Sequence, residues 1–159
     1  MNDNKTSRQA IVPLEWYDRI ITHSDYHEIL GLLNSDVGKP HIAPSHFHKL
    51  FMMITLSEKC NTTNISEKII RLNSEFILVT ENNIKQLVRI VLPQNIHNSY
   101  DISIYNPIAI ACLGSKEGSR VCFQYKNSLQ YLYIEKSVEH PLIIKPTDLT
   151  ELLEIPYKN

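Results

Sequence analysis

The sequence predicts an α+β protein: a short N-terminal helical hairpin, then a mostly antiparallel sheet crossed by one short helix. Three observations carry this reading. Before residue 64 the apolar residues recur at helical spacing. Tyr26, Ile29, Leu30 and Leu33 stand at i, i+3, i+4, i+7, and Phe47, Leu50, Phe51 and Ile54 repeat the step. After residue 64 the period falls to two, as Ile84, Gln86, Val88, Ile90 and Leu92 alternate with Lys85, Leu87, Arg89 and Val91. Inside that second part lies Asn106-Pro107-Ile108-Ala109-Ile110-Ala111-Cys112-Leu113-Gly114. Asn at an N-cap, Pro at the first helical position and Gly just past the end specify a short helix at both ends.

Each element follows in order. Residues 1–9 are polar and read as a frayed tail. Pro13 opens a helix through Trp16, Tyr17, Ile20 and Ile21. Asp25 and Glu28 have capping-box spacing, with Asp25 as the N-cap of the next helical face. Residues 34–40 are a loop by composition. A second helix runs from about Pro44 to Cys60, and two apolar-faced helices joined by a short loop bury those faces against each other as a hairpin. Asn61-Thr62-Thr63-Asn64 breaks the pattern. The expected organisation is a helical region over 1–64, a sheet domain over 65–140 and a tail over 141–159. Strands are expected at 75–80, 84–92, 101–105, 120–125 and 129–136, with turns at 81–83 and 116–119. The last two strands form a hairpin turning at Asn127-Ser128. Asp148 and Glu151 suggest a final helical turn over 147–154.

Charge and cysteine content narrow the function. Lys plus Arg is 16 and Asp plus Glu is 17, so the net charge is −1 and no large positive field attracts phosphates. Direct nucleic-acid binding is therefore not expected. With 43 % hydrophobic and 21 % charged residues the chain has a globular rather than a disordered composition. Cys60, Cys112 and Cys122 are odd in number and contain no CxxC, which argues against a disulfide framework or a cysteine-based zinc site. Free thiols, an N-terminus without an apolar centre, and no apolar run near ~18 residues lead to the expectation of a cytoplasmic protein without a membrane partner.

The stretch Ile102-Ser103-Ile104-Tyr105-Asn106-Pro107-Ile108-Ala109-Ile110-Ala111-Cys112-Leu113-Gly114, followed by Lys116-Glu117-Gly118, resembles the C-terminal domain of the GreA/GreB transcription elongation factors. It is closest to the small Rnk-like members, regulators of nucleoside diphosphate kinase. Lys68-Ile69-Ile70-Arg71-Leu72-Asn73-Ser74-Glu75-Phe76 resembles the family's opening strand, and residues 86–93 a later one. Two positions depart from the family pattern: Asn106 stands where Ser precedes the proline, and Ser119 stands where Asp follows the glycine. The resemblance implies an FKBP-like fold for the second part. It also implies binding to bacterial RNA polymerase beside its secondary channel, with the hairpin pointing into the channel. The loop that meets the polymerase in the family matches Tyr105, Asn106 and Pro107 here. Pro107 and the Asn106 cap make this loop rigid, so that little entropy is lost on binding, and Tyr105 offers an amphipathic ring.

Catalysis and metal binding are not expected, and no cofactor is implied. Active family members hold a second Mg²⁺ with acidic residues at the tip of a long hairpin, where hard oxygen ligands suit the ion. Here the tip offers Asp36 alone, followed by Lys39 and His41. His41, His46 and His48 form H-x₄-H-x-H, in which His46 and His48 point to different sides of a helix. His23 and His27 are at i, i+4 and lack a convincing further ligand. Cys112 sits in an apolar helix and reads as a small core residue rather than a nucleophile. Tyr100, Tyr105, Tyr125, Tyr131 and Tyr133 cluster in the sheet half, for cross-strand packing or for a protein-binding face. The expected function is a non-enzymatic, polymerase-binding regulator. The alternatives are an FKBP-fold peptide-binding or prolyl-isomerase-like module, or an interaction module regulating another enzyme.

Overall fold

Thr22 ends one strand and begins one helix, and this double duty sets the N-terminal architecture. The structure is a computed structural model that describes residues 18–36 and 42–135. The strand β1 (Ile20–Thr22) pairs in parallel with β2 (Glu58–Cys60), joining Ile20 to Glu58 and Thr22 to Cys60. Two expectations are corrected here. Ile20 and Ile21 are strand rather than helix, as suits consecutive β-branched side chains. The second helix stops before Glu58, because Ser57 adopts an extended conformation and its hydroxyl donates to the Met53 carbonyl at 2.6 Å.

Helix α1 (His23–Leu33) is capped by Thr22, whose hydroxyl accepts the Asp25 N–H at 3.0 Å. The N-cap is thus three residues before the expected Asp25. Asp25 instead turns inward, and its carboxylate accepts the Leu72 N–H at 3.2 Å beside Arg71 Nε at 3.6 Å. Helix α2 (Pro44–Leu56) buries Leu50, Met53 and Ile54. Phe51, expected on that face, is 40 % exposed, and Met53 takes its place. Both helices feed one cluster of buried side chains that also holds Phe76, Leu78, Val88 and Ile90 of the sheet. That cluster crosses residue 64.

The main sheet has the order β5-β4-β3-β7-β6, built from β3 (Glu75–Thr80), β4 (Lys85–Val91), β5 (Asp101–Ser103), β6 (Arg120–Tyr125) and β7 (Ser128–Glu135). It is mixed rather than simply antiparallel, because β4 and β5 run parallel, with Arg89 opposite Asp101 and Val91 opposite Ser103. A 3₁₀ turn at Pro93–Asn95 lies within the connection between these two strands. The β6–β7 hairpin turns at Lys126 and Asn127, one residue before the expected position. Both have positive φ, 47° and 62°, as a tight two-residue turn demands. On the central strand β3, Phe76 and Leu78 join the main core, while Ile77 and Val79 meet Leu87 on the opposite face. The helix expected through Pro13, Trp16 and Tyr17, residues 37–40 of the loop, His41 and the turn over 147–154 lie outside the described residues.

Helix α3 (Pro107–Cys112) has the caps expected of it. Asn106 Oδ1 accepts the Ile108 N–H at 2.9 Å, and Pro107 occupies the first turn. All six residues are buried, which is why its sequence is apolar all round. Gly114, just past its end, has φ +78°. Its N–H donates to the Ile70 carbonyl at 2.8 Å, and its carbonyl accepts the Ile20 N–H at 3.1 Å. A Cβ there would stand 3.1 Å from Ile20 O and 3.2 Å from Arg19 Cβ. Gly114→Ala should therefore cost about 2 kcal/mol or more, since contact with backbone adds to the left-handed penalty. Gly118, at φ +80° with open space around it, isolates the conformational part. Gly118→Ala should cost about 1 kcal/mol. Urea unfolding of the two variants checks the difference.

Candidate functional site

The segment that leads into α3 is held by one carboxylate. Asp101, at the start of β5, has a fully buried side chain. It accepts Arg89 Nε at 2.8 Å and Nη2 at 3.0 Å, a bidentate pair across the parallel strands. It also accepts the N–H groups of His97 at 2.8 Å and Asn98 at 2.9 Å, which closes the preceding loop. Burial alone would raise the Asp101 carboxyl. The Arg89 guanidinium and the two N–H donors outweigh it and hold the group below its ordinary range. Arg89 in turn approaches Glu75 at 3.8 Å and lies over the Tyr100 ring, 5.3 Å from its centroid.

Beyond this clamp the chain turns sharply. Ser103 Oγ accepts the Tyr105 N–H at 3.1 Å, and Asn106 N–H donates to the Ser103 carbonyl at 2.8 Å. The loop is held by these hydrogen bonds and by the Asn106 cap, but it faces inward. Tyr105 is 2 % exposed, Asn106 is 0 % exposed and Pro107 is buried. Burial pushes the Tyr105 hydroxyl above its ordinary pKa. The structure therefore brings these three residues together as a capped, buried turn.

The other candidates lie apart from it. Asp36 is exposed in the bend after α1, and its expected neighbours Lys39 and His41 lie outside the described residues. His23 and His27 are exposed on α1, and His48 is exposed on α2. Among the described residues, no group of three His, Cys, Asp or Glu side chains is placed to hold a metal. Cys112 is fully buried, and burial pushes its thiol up to about 12 against the opposing charge of Arg19, so it behaves as a core residue. Of the tyrosines, Tyr131 and Tyr133 share the outer face of the sheet, opposite Cys122 and Arg120 on β6. The Arg120 guanidinium stacks 3.8 Å from the Tyr131 centroid.

Sequence reading missed the Arg89–Asp101 clamp and the role of Arg19. The partners in the clamp are twelve residues apart, and only the parallel register brings them opposite each other. Arg19 is 7 % exposed and donates Nη1 to the Leu113 carbonyl at 2.7 Å and the Ile110 carbonyl at 3.3 Å. It thereby satisfies the C-terminal end of α3. An arginine before two isoleucines carries no local signal of that task.

No protein-family model matches the sequence, and no curated protein matches it. Solved structures do. The chain has the fold of the prokaryotic transcription elongation factor GreA/GreB from Nitrosomonas europaea, with a TM-score of 0.60 and 19 % identity, covering 74 % of this chain and 95 % of that one. Two further neighbours are transcription factors of the Gfh1 type. The GreA factor homolog 1 of Thermus thermophilus has 14 % identity and a TM-score of 0.37, covering 74 % of this chain and 97 % of that one. The Gfh1 of Thermus aquaticus has 14 % identity and a TM-score of 0.40, covering 76 % and 97 %. These two superpose too loosely to bear on the argument. Among the described residues no helix is long and apolar enough to cross a membrane.

Proposed function

We propose that this protein is a non-enzymatic, cytoplasmic regulator of the Gre/Rnk kind that binds bacterial RNA polymerase near its secondary channel. The observation that supports this most is the likeness to the GreA/GreB fold over nearly the whole of that chain. In this reading residues 65–140 form an FKBP-like docking domain and α1 and α2 form a short hairpin with Asp36 at its tip. Helix α2 has 13 residues, so it reaches only about 20 Å at ~1.5 Å per residue. Tyr105, Asn106 and Pro107, buried as they are, serve docking by positioning the surface around them.

Two measurements on the purified protein test the reading. It should co-migrate with bacterial core RNA polymerase on gel filtration. Added to backtracked polymerase, it should leave the RNA length unchanged, because one tip carboxylate is a poor holder of a second Mg²⁺. Mg²⁺-dependent shortening of the transcript would overturn the non-enzymatic part. Absence of co-migration, with faster cis–trans conversion of an X-Pro peptide, would replace the proposal by the isomerase-like module. The uncatalysed conversion takes tens to hundreds of seconds and gives a clear baseline.

A further inference from the structure

The main sheet ends on β6, and a groove runs beside that strand. Ile134 N–H donates to the Ser119 carbonyl at 2.9 Å, and the β6–β7 pairing sets Arg120 opposite Tyr133. By the alternation of an antiparallel ladder, the backbone groups of Val121 and Phe123 then point to β7, and those of Arg120 and Gln124 point away from it. No described strand meets that outer row. A strand edge is a template for a further strand, and native proteins cover it, shorten it or charge it. One stretch of the groove, of about 520 Å³, lies between Asp18 and Ile20 on one side and Arg120 and Val121 on the other. The next, of about 180 Å³, continues past Phe123 and Gln124 to Leu129, with Ile110 of α3 in its apolar floor.

The chain itself supplies a segment of matching length, direction and pattern. Asp18 lies at the Arg120 end of the groove and stands in a turn, so the residues before it are not bound to the line of β1. A segment that leaves Asp18 along the groove towards Tyr125 runs antiparallel to β6. Residues 12–17 match the 6 residues of β6 one for one. Val12, Leu14 and Trp16 form an apolar row at a period of two, and Pro13, Glu15 and Tyr17 form the other row. The apolar row suits the side floored by Ile110 and Phe123, which leaves Glu15 on the outer side of the sheet. Ile20 and Ile21, the second half of the helix expected here, are already strand, so Trp16 and Tyr17 lose the helical face they were to share. Pro13 is tolerated in an edge strand, where its missing N–H costs no ladder bond.

We propose that residues 12–17 dock in this groove as a further strand of the main sheet, antiparallel to β6 of the same molecule, with Leu14 and Trp16 laid over Ile110 and Phe123. The segment occupies the edge that otherwise accepts an extended apolar strand from a second copy or another protein. This docking is independent of the polymerase reading, and each stands if the other falls.

Trp16 is the only tryptophan, so its fluorescence reports on the segment in the full chain. Its emission should lie at shorter wavelength than that of a free tryptophan amide, and acrylamide should quench it more weakly. The β6 amides give a second readout with an internal control. Arg120 and Gln124 N–H should exchange at least about tenfold more slowly in the natural chain than in the double variant Val12→Asp, Leu14→Asp. Val121 and Phe123 N–H, directed at β7, should exchange alike in both. In the double variant the Trp16 emission should move to the value of the free amide, and the natural chain should sediment as a monomer. Trp16 emission like that of the free amide in the natural chain overturns the docking, and decides the question even where the double variant fails to fold. Equal exchange of Arg120 and Gln124 in the two folded proteins overturns it as well. Protection present only in a dimer, and lost on dilution, assigns the groove to a second copy and overturns the intramolecular strand.

Discussion

Tyr105→Ala should lower the free energy of unfolding by about 3–5 kcal/mol, the range for truncating a buried aromatic side chain. The ring is 2 % exposed and belongs to the main core cluster, so its loss leaves a cavity beside the capped turn. Tyr105→Phe keeps the ring and should stay within about 1.5 kcal/mol of the natural protein. Polymerase binding, measured at a temperature where both variants are folded, then separates two modes of action. If the turn positions the docking surface, Tyr105→Phe binds normally and Tyr105→Ala binds more weakly. If Tyr105→Phe loses about tenfold in affinity with its stability intact, the hydroxyl touches the partner directly and the positioning role is wrong.

Asp101→Ala should cost about 3 kcal/mol, because it leaves the Arg89 guanidinium and two loop N–H groups without their acceptor. Asp101→Asn keeps an acceptor oxygen and loses the charge, and its cost should be about half of that. The pH dependence gives an independent check. The folded Asp101 pKa lies below its ordinary value of 3.8, so the unfolded chain takes up this proton first as pH falls. The stabilisation is complete above 3.8 and is lost as pH falls through the depressed folded value. Asp25 has the opposite sign. Burial raises it above 3.8, against the Leu72 N–H and Arg71, so the folded protein holds this proton longer and stability declines as pH rises from 3.8 through the raised value. Urea unfolding across the acid range should show Asp101→Asn without the loss below 3.8 and Asp25→Asn without the decline above it. If both variants follow the natural protein's curve, neither carboxylate sets its acid limb.

The two buried acids also mark how far local sequence reaches. Asp25 has the spacing of an N-cap, yet Thr22 takes that role, since a threonine ending a strand is already extended as a cap must be. The carboxylate is then drawn to the Leu72 N–H, 47 residues away. Phe51 fits the helical stripe, but Met53 is the residue that faces the core, because a periodicity defines a stripe without saying which edge of it meets its neighbours.

What the sequence by itself determined is what short-range chemistry decides. The helix α3 was legible from Asn106, Pro107 and Gly114, because caps act within a few residues and positive φ selects glycine. The strands β3 and β6 were legible to the residue from their run of strand-forming side chains. Tertiary structure alone decided the pairings between distant segments. Three-residue strands such as β1 and β2 are too short to show a period, and they exist because Ile20 meets Glu58 across the chain. The parallel partnership of β4 and β5, which creates the Arg89–Asp101 clamp, depends on how the loop between them closes. The inward face of Tyr105 has the same origin: rigidity is written in the Asn-Pro dipeptide, but direction is set by the core that packs against the turn.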